Sequence, residues 1–424
     1  ITLFESAVQW YCFLLYGTAA GTVFHKVFFS QTGNGTTALI LSYMSFAIGY
    51  IAGPFGAIFF GHIGDRKGRK VTMYASLLMM GISTSIIGIL PPAASAGVGV
   101  VIVLQLMRLA QCFGRGGTWG GGILMAYENV PENKRSFYAA IPQIGLPIGF
   151  GLSSILIAVP TLLLPEDIFF TWGWRIPFLA AIILTLIVIR QKGEMMETED
   201  YKKAQAKLEA EEAEGKKHKV GFIPMVKGYW KTLLLGCGTR WVDGTFYNIF
   251  IVWILSYCIN WLGMPLIQTY IITIIACIFK IPFTLFGGWC AQKLGNTRTF
   301  VIGALASAVL SIPTLKVIEL SKGNLAITII GIVLGWSIAY NLIWAVISSL
   351  WSSYFETEVR YSGISFVYHV PSFLVAGMVP TICTLLINYG KGDTIYVGIY
   401  STVVALISAA CALALKARHD RGEK

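Results

Sequence analysis

The sequence predicts an all-α membrane protein of twelve transmembrane helices arranged as two six-helix halves, and three observations predict it. Hydrophobic residues make up 55% of the chain and charged residues only 12%, about half the charged share of an ordinary soluble domain, and the mean hydropathy is +0.68. Apolar stretches of bilayer-spanning length recur from end to end, and lipid leaves helices as their structure because each backbone polar group must be satisfied internally. The net charge of +11 sits in short loops between those stretches, where the positive-inside rule accounts for it better than a nucleic-acid partner does. Many of the 45 glycines lie inside apolar runs, which suits helices that approach closely.

In chain order, spans are expected at about 4–25, 37–61, 71–93, 98–126, 137–163, 170–190, 230–261, 266–290, 298–316, 325–350, 362–389 and 394–415. An even number puts both termini on one side. That side collects Arg66 to Lys70, Lys134, Arg135, the charges from Arg190 to Lys219, and Lys416, Arg418, Arg421 and Lys424. The opposite side holds Lys26, Lys316, Lys322 and Lys391 beside the acids Glu166 and Asp167. Both termini and the middle loop are therefore expected in the cytoplasm. The organisation expected is a first bundle over 1–191, a linker over 192–227 with an amphipathic helix, a second bundle over 228–416 and a tail over 417–424. Glu199 and Lys203 in the linker form an i, i+4 pair in the favoured order. No cleavable signal is visible, and residue 1 already stands at the edge of the first apolar segment, as if a short native N-terminus were missing. The eight cysteines show no C-x-x-C pairing and read as small core residues, without a metal site or cofactor.

The loop Gly61-His62-Ile63-Gly64-Asp65-Arg66-Lys67-Gly68-Arg69-Lys70 follows the second span. It resembles the signature G-x-x-x-D-R-x-G-R-[RK] of the major facilitator superfamily, with each fixed position filled. A thinner copy, Gly288 to Arg298, follows the eighth span and keeps the spacing of Gly61 and Gly68, as expected of a six-plus-six repeat with a solute path between the halves. Further stretches resemble the metabolite–proton symporters of that superfamily, carriers of citrate, α-ketoglutarate, shikimate, and proline or betaine. They are Val8 to Gly17, Arg108-Leu109-Ala110-Gln111, Gly116-Gly117-Thr118-Trp119-Gly120-Gly121, Glu128-Asn129, Lys134-Arg135, Pro142-Gln143, Trp172 to Phe178, and Thr357 to Gly363. The resemblance implies the major facilitator fold, a plasma-membrane location in a prokaryote and a small-molecule solute. In that branch acids usually stand at the positions of Gln9, Cys12 and Thr118, and a basic residue at Gly53. Their joint replacement here reads as removal of an ion pair, since losing both partners is cheaper than stranding one.

Charge inside a span is costly and marks function by default. Arg108 and Arg115 share a face of the fourth helix, Arg240 and Asp243 are an i, i+3 pair on the seventh, and Lys280 stands deep in the eighth beside Pro282. Lys280 needs a partner, either Asp243 or a substrate carboxylate. With Gln9, Tyr247 and Asn341 these basic groups are the expected substrate-binding set. Glu5, one turn before Gln9, Asp243 and His369 are the expected proton-coupling set, and Glu5 is also a candidate partner for Arg115. Asp65, Arg66, Arg69, Arg135, Glu358 and Arg360 are expected to gate the cytoplasmic end through charge pairs that form and break. For each group a purely structural ion pair or packing role stays open. Four deep cations against two acids favour an anionic solute, most simply a mono- or dicarboxylate, carried by a monomer, with proton coupling as one option. A uniporter or exchanger, a proline or betaine carrier, and a sensor that kept the fold are the alternatives. No nucleophile–base pair, metal-ligand spacing or phosphate loop points to an enzyme.

Overall fold

The computed structural model describes residues 2–31, 34–67, 69–128, 130–131, 134–191, 222–356 and 359–423. The linker up to residue 221, Glu358, and the side chains of Asp65, Arg66 and Arg69 lie outside what is described.

The described residues form twelve rods: α1 (Thr2–Thr22), α2 (Gly35–Ile48 running on as Ala52–Lys67), α3 (Arg69–Ile89), α4 (Gly99–Glu128), α5 (Arg135–Leu163), α6 (Glu166–Gln191), α7 (Phe222–Asn248 running on to Ile254–Asn260), α8 (Leu266–Leu294), α9 (Asn296–Leu320), α10 (Leu325–Tyr354), α11 (Arg360–His369 and then Val379–Tyr389) and α12 (Ile395–Asp420). Nine are long and apolar enough to cross a bilayer, and α11 is so as two segments bent by 40°. The remaining two, α1 and α4, are those that carry Glu5 and Gln9, and Arg108, Gln111 and Arg115, in otherwise apolar bodies. Polar side chains needed inside the protein lower the hydropathy of the rods that bear them.

Local chemistry sets the ends. The Asn34 side chain accepts the Thr37 N–H at 2.9 Å to start α2, and Asn324 accepts the Ile327 N–H at 3.2 Å to start α10. Gly295, at φ 87°, turns the chain out of α8 where an L side chain would be strained. The thinned copy of the basic loop thus joins α8 to α9, as the first joins α2 to α3.

Packing repeats with a shift of six. In the first half α1 packs on α5 and α6, α2 on α4, and α3 on α4 and α6; in the second α7 packs on α11 and α12, α8 on α10, and α9 on α10 and α12. The halves meet along α1–α7, α2–α11, α4–α11, α5–α8 and α5–α10. Close approach needs small residues: a Cβ at Gly56 of α2 would stand 1.9 Å from the Phe113 carbonyl oxygen of α4. At the end remote from the basic loop, Lys316 reaches Glu319 at 3.0 Å and Asp393 at 2.7 Å, and Glu319 accepts the Thr394 N–H at 2.8 Å. This staple fastens α9 to the turn between α11 and α12.

Two outcomes are expected. Gly56→Ala forces α2 from α4 and costs about 1–3 kcal/mol, read as a lower melting temperature in detergent with no change in helix content. Lys316 and the Ile395 N–H hold the Asp393 carboxyl below its ordinary value. The stabilisation is therefore complete above the unfolded value, about 3.9, and is lost as pH falls through the lower folded value. Asp393→Asn should flatten the melting-temperature profile in that acid range alone.

Candidate functional site

The polar groups of the membrane-spanning segments converge on the seam between the halves. On the first-half side Arg108 is fully buried. Its guanidinium lies over the rings of Phe13, Tyr16 and Phe46 at 4.5, 4.4 and 4.6 Å. It donates to the Phe46 carbonyl at 3.4 Å and to the Gln111 side chain. Gln111 in turn donates to the Cys12 carbonyl at 2.9 Å and to Thr84 at 2.7 Å. The R-x-x-Q pair therefore ties α4 to α1 and α3. The chain can host this guanidinium because α2 has Gly49 there: a Cβ at that position would lie 2.6 Å from the Arg108 Nε.

On the second-half side Arg240 and Asp243 form the expected ion pair, and the Tyr340 hydroxyl donates to the other Asp243 oxygen at 2.5 Å. Of the two partners open to Lys280, Asp243 is not within ion-pair distance of it. Lys280 donates instead to the Asn341 side-chain oxygen at 2.9 Å and lies over the rings of Trp336 at 4.6 Å and Tyr340 at 4.4 Å. Asn341 closes this clamp by donating to the Lys280 carbonyl at 2.8 Å. Among the described residues no carboxylate stands within ion-pair distance of Arg108 or Lys280. Widened helical turns over Ile249–Trp253, Val333–Ala339 and Phe373–Gly377 occur in α7, α10 and α11, next to Tyr247, Tyr340 and His369. Such a turn adds a residue to the helical circuit and re-aims its neighbours, which is why it recurs at functional sites.

Across the seam Arg115 donates to the Tyr368 hydroxyl of the other half and lies over Phe13 at 3.8 Å and Trp10 at 4.7 Å. Arg240 lies over the same Tyr368 ring at 4.5 Å. Trp10 contacts Tyr247 at 5.8 Å and Trp344 at 5.4 Å between ring centroids. His369 packs against the glycine of α2, with a Cβ at Gly53 falling 2.9 Å from its Nδ1. Several buried polar atoms here have no hydrogen-bond partner among the described residues: Trp10 Nε1, Tyr247 hydroxyl, His369 Nε2 and Arg240 Nε. Buried polar atoms are nearly always paired, so this cluster is where a polar solute or water would complete the pairing.

Cross-half bonds close both ends over this cluster. Toward the basic loop Ser136 donates to Asn296 at 2.9 Å, and Trp344 donates to the Gln143 carbonyl at 3.0 Å. Toward the other end Tyr43 donates to Ser256 at 2.6 Å, and Thr22 meets Tyr270 at 3.2 Å.

Of the expected substrate set, Arg115, Tyr247 and Arg240 come together at the seam, while Gln9 is buried on α1, Arg108 stands behind an aromatic box and Lys280 and Asn341 clamp α8 to α10. Of the proton-coupling set, Asp243 and His369 reach the seam. Glu5 is buried within electrostatic reach of Tyr74 of α3. Among the gating residues, Arg135 begins α5, which packs on α8 and α10 of the other half. Arg360 donates to the carbonyls of Ser352 at 3.0 Å and Phe355 at 3.3 Å, holding the end of α10 within its own half. Tyr368 and Tyr43 have no assigned role in the sequence reading; tyrosines at membrane depth read as core until a partner appears across the seam.

Twelve rods in two repeated halves around a closed polar seam define a membrane transport protein. Residues 12–380 match the family model described as Major Facilitator Superfamily, and the chain belongs to that family. It is similar to the Escherichia coli (strain K12) inner membrane metabolite transport protein YhjE, 34% identical over 99% of this chain and 94% of that one. It is also similar to the shikimate transporter of the same strain, 31% identical over 97% and 92%. The proline/betaine transporter of Salmonella typhimurium (strain LT2) is 27% identical over 98% and 82%. A crystal structure of a D-xylose-proton symporter shares the fold with a TM-score of 0.72 at 16% identity, covering 98% of this chain and 95% of that one.

Gly49→Ala tests the Arg108 box. The added methyl should displace the guanidinium at a cost of about 1–3 kcal/mol, seen as a lower melting temperature, whereas Ala at Gly35, where a Cβ meets open space, should leave it unchanged.

Proposed function

We propose that this transporter carries a small organic anion, a mono- or dicarboxylate, by rocking of its two halves around a buried chamber at their seam. The reading rests on the charge balance of the membrane interior. Arg108, Arg115, Arg240 and Lys280 are buried against Glu5 and Asp243, and Asp243 is held by Arg240 and Tyr340. The surplus is positive, and aromatic faces carry part of it, a desolvated cation–π contact being worth roughly 2 kcal/mol. An anionic solute completes what the rings leave over. The shikimate carried by one relative is a carboxylate by its name. A zwitterion of the proline and betaine kind needs an acid for its cationic end, and Asp243 is already engaged. The protein is read as a monomer in a prokaryotic plasma membrane, with both termini and the basic 61–70 loop in the cytoplasm.

Proton coupling is assigned to Asp243. A carboxylate that takes Arg240 releases Asp243 from its pair, and a freed carboxylate in a low-dielectric chamber takes up a proton. Glu5 and His369 are the other buried groups able to do so. A second reading, exchange without a proton, is favoured by Gln9 and Cys12 at positions where related symporters carry acids.

Thermal shift in detergent with lactate, succinate, shikimate, proline and betaine tests the solute class. One carboxylate should raise the melting temperature, and Arg240→Ala or Lys280→Ala should weaken its binding about ten- to hundredfold, the worth of a hydrogen bond to a charged group. Stabilisation by betaine or proline that survives both substitutions sinks the anion reading. In proteoliposomes Asp243→Asn should keep exchange of that carboxylate and lose accumulation driven by a proton gradient; unchanged accumulation moves the coupling to Glu5 or His369.

A further inference from the structure

At the end of the molecule remote from the basic loop, the two halves part around a cleft of about 600 Å³. That volume lies within the usual range of small-molecule sites. One wall is aromatic: Trp253 and Tyr257 of α7 stack at 5.2 Å, and Trp261 continues the surface. The polar lining includes His25 and Lys26 after α1, Asn260 at the end of α7, and Asn388 of α11. Among the described residues no carboxylate lines it.

The nearest acids are engaged elsewhere. Glu319 and Asp393 belong to an adjoining cleft that shares Tyr257 and Trp261, and Lys316 holds both. Glu166 stands 3.5 Å from Lys26, but both side chains are more than half exposed, where such pairs are weak. The His25 Nδ1 is buried without a hydrogen-bond partner among the described residues. Amide donors, a lysine and an aromatic wall without a carboxylate suit a small organic anion.

The cleft also stands on the path to the chamber. Ser256 lines it and accepts the cross-half bond from Tyr43, so the floor of the cleft is the closure over the seam. From Ser256 to Tyr247 is nine residues along α7, about 13 Å of helix. A small carboxylate in the cleft therefore cannot also touch Tyr247 or Arg240.

We infer that this cleft is a second binding site, an antechamber that holds the same class of organic anion above the Tyr43–Ser256 closure before it enters the chamber. The inference rests on the proposed anion reading and adds a second site to it. Shikimate waits there beside Lys26 and Asn388, against the Trp261 ring.

The test is equilibrium binding of radiolabelled shikimate, and separately succinate, to the full chain in detergent. Two molecules per chain are expected for the anion that binds. Lys26→Ala with Asn388→Ala, both at exposed positions, should reduce this to one and leave the melting temperature unchanged. Arg240→Ala should also leave one, held in the cleft. Tryptophan fluorescence should respond to the cleft-bound anion, and Trp261→Phe should remove that response. One molecule per chain, lost with Arg240→Ala and indifferent to Lys26→Ala with Asn388→Ala, overturns the antechamber and keeps the chamber. One molecule lost only in the Lys26→Ala, Asn388→Ala variant keeps the cleft and overturns the chamber reading. Binding of neither anion to the wild-type chain overturns both.

Discussion

Burying a guanidinium or ammonium group in a low-dielectric interior is costly unless something replaces its water, and this fold is arranged around that constraint. Arg108 has three rings and two side-chain or backbone oxygens, Lys280 has two rings and Asn341, and Arg240 has Asp243. Each solution draws on a different set of helices. Arg108 ties α4 to α1, α2 and α3, Lys280 ties α8 to α10, and Arg240 with Asp243 and Tyr340 ties α7 to α10. The cations thus hold each half together as well as charging the face it turns to the other.

The seam is built from weaker parts. Its bonds are hydroxyl, amide and indole contacts, such as Tyr43 to Ser256 and the mutual bonds of Trp344 and Gln143, together with cation–π faces such as Arg115 on Tyr368. Contacts of about 1 kcal/mol each can be exchanged one set for another, as rocking requires. Bonds within a half, such as the Gln111 bridge and the Asn341 clamp, engage the buried cations Arg108 and Lys280, and hydrogen bonds to charged groups are stronger. The difference in kind between these two sets is a physical reason for two rigid halves and a labile interface.

Gln9 and Cys12 on the first helix and Gly53 on the second carry no charge. His369 from the other half packs on Gly53. Charge at the seam lies in the Arg240–Asp243–Tyr340 set of the second half, with Arg115 reaching over to Tyr368.

Span positions, the repeat and the family were legible in the sequence because they depend on local quantities: apolar run length, loop charge, and the spacing of Gly61 to Lys70. Each of the twelve expected spans corresponds to a helix within several residues. The buried charges were legible too, since no charge sits in an apolar run by accident, and the i, i+3 spacing foretold the Arg240–Asp243 pair. Their other partners were not. Lys280 meets Asn341, sixty-one residues away in sequence, and Arg115 meets Tyr368, two hundred and fifty-three away. Tyr368 and Tyr43 carry no local mark of their role. By itself the sequence determined which groups must be compensated inside the membrane, because that follows from side-chain chemistry and span length. Which groups do the compensating was decided only by the tertiary structure, because helix packing across the two halves sets which faces meet and no periodicity within one helix records it.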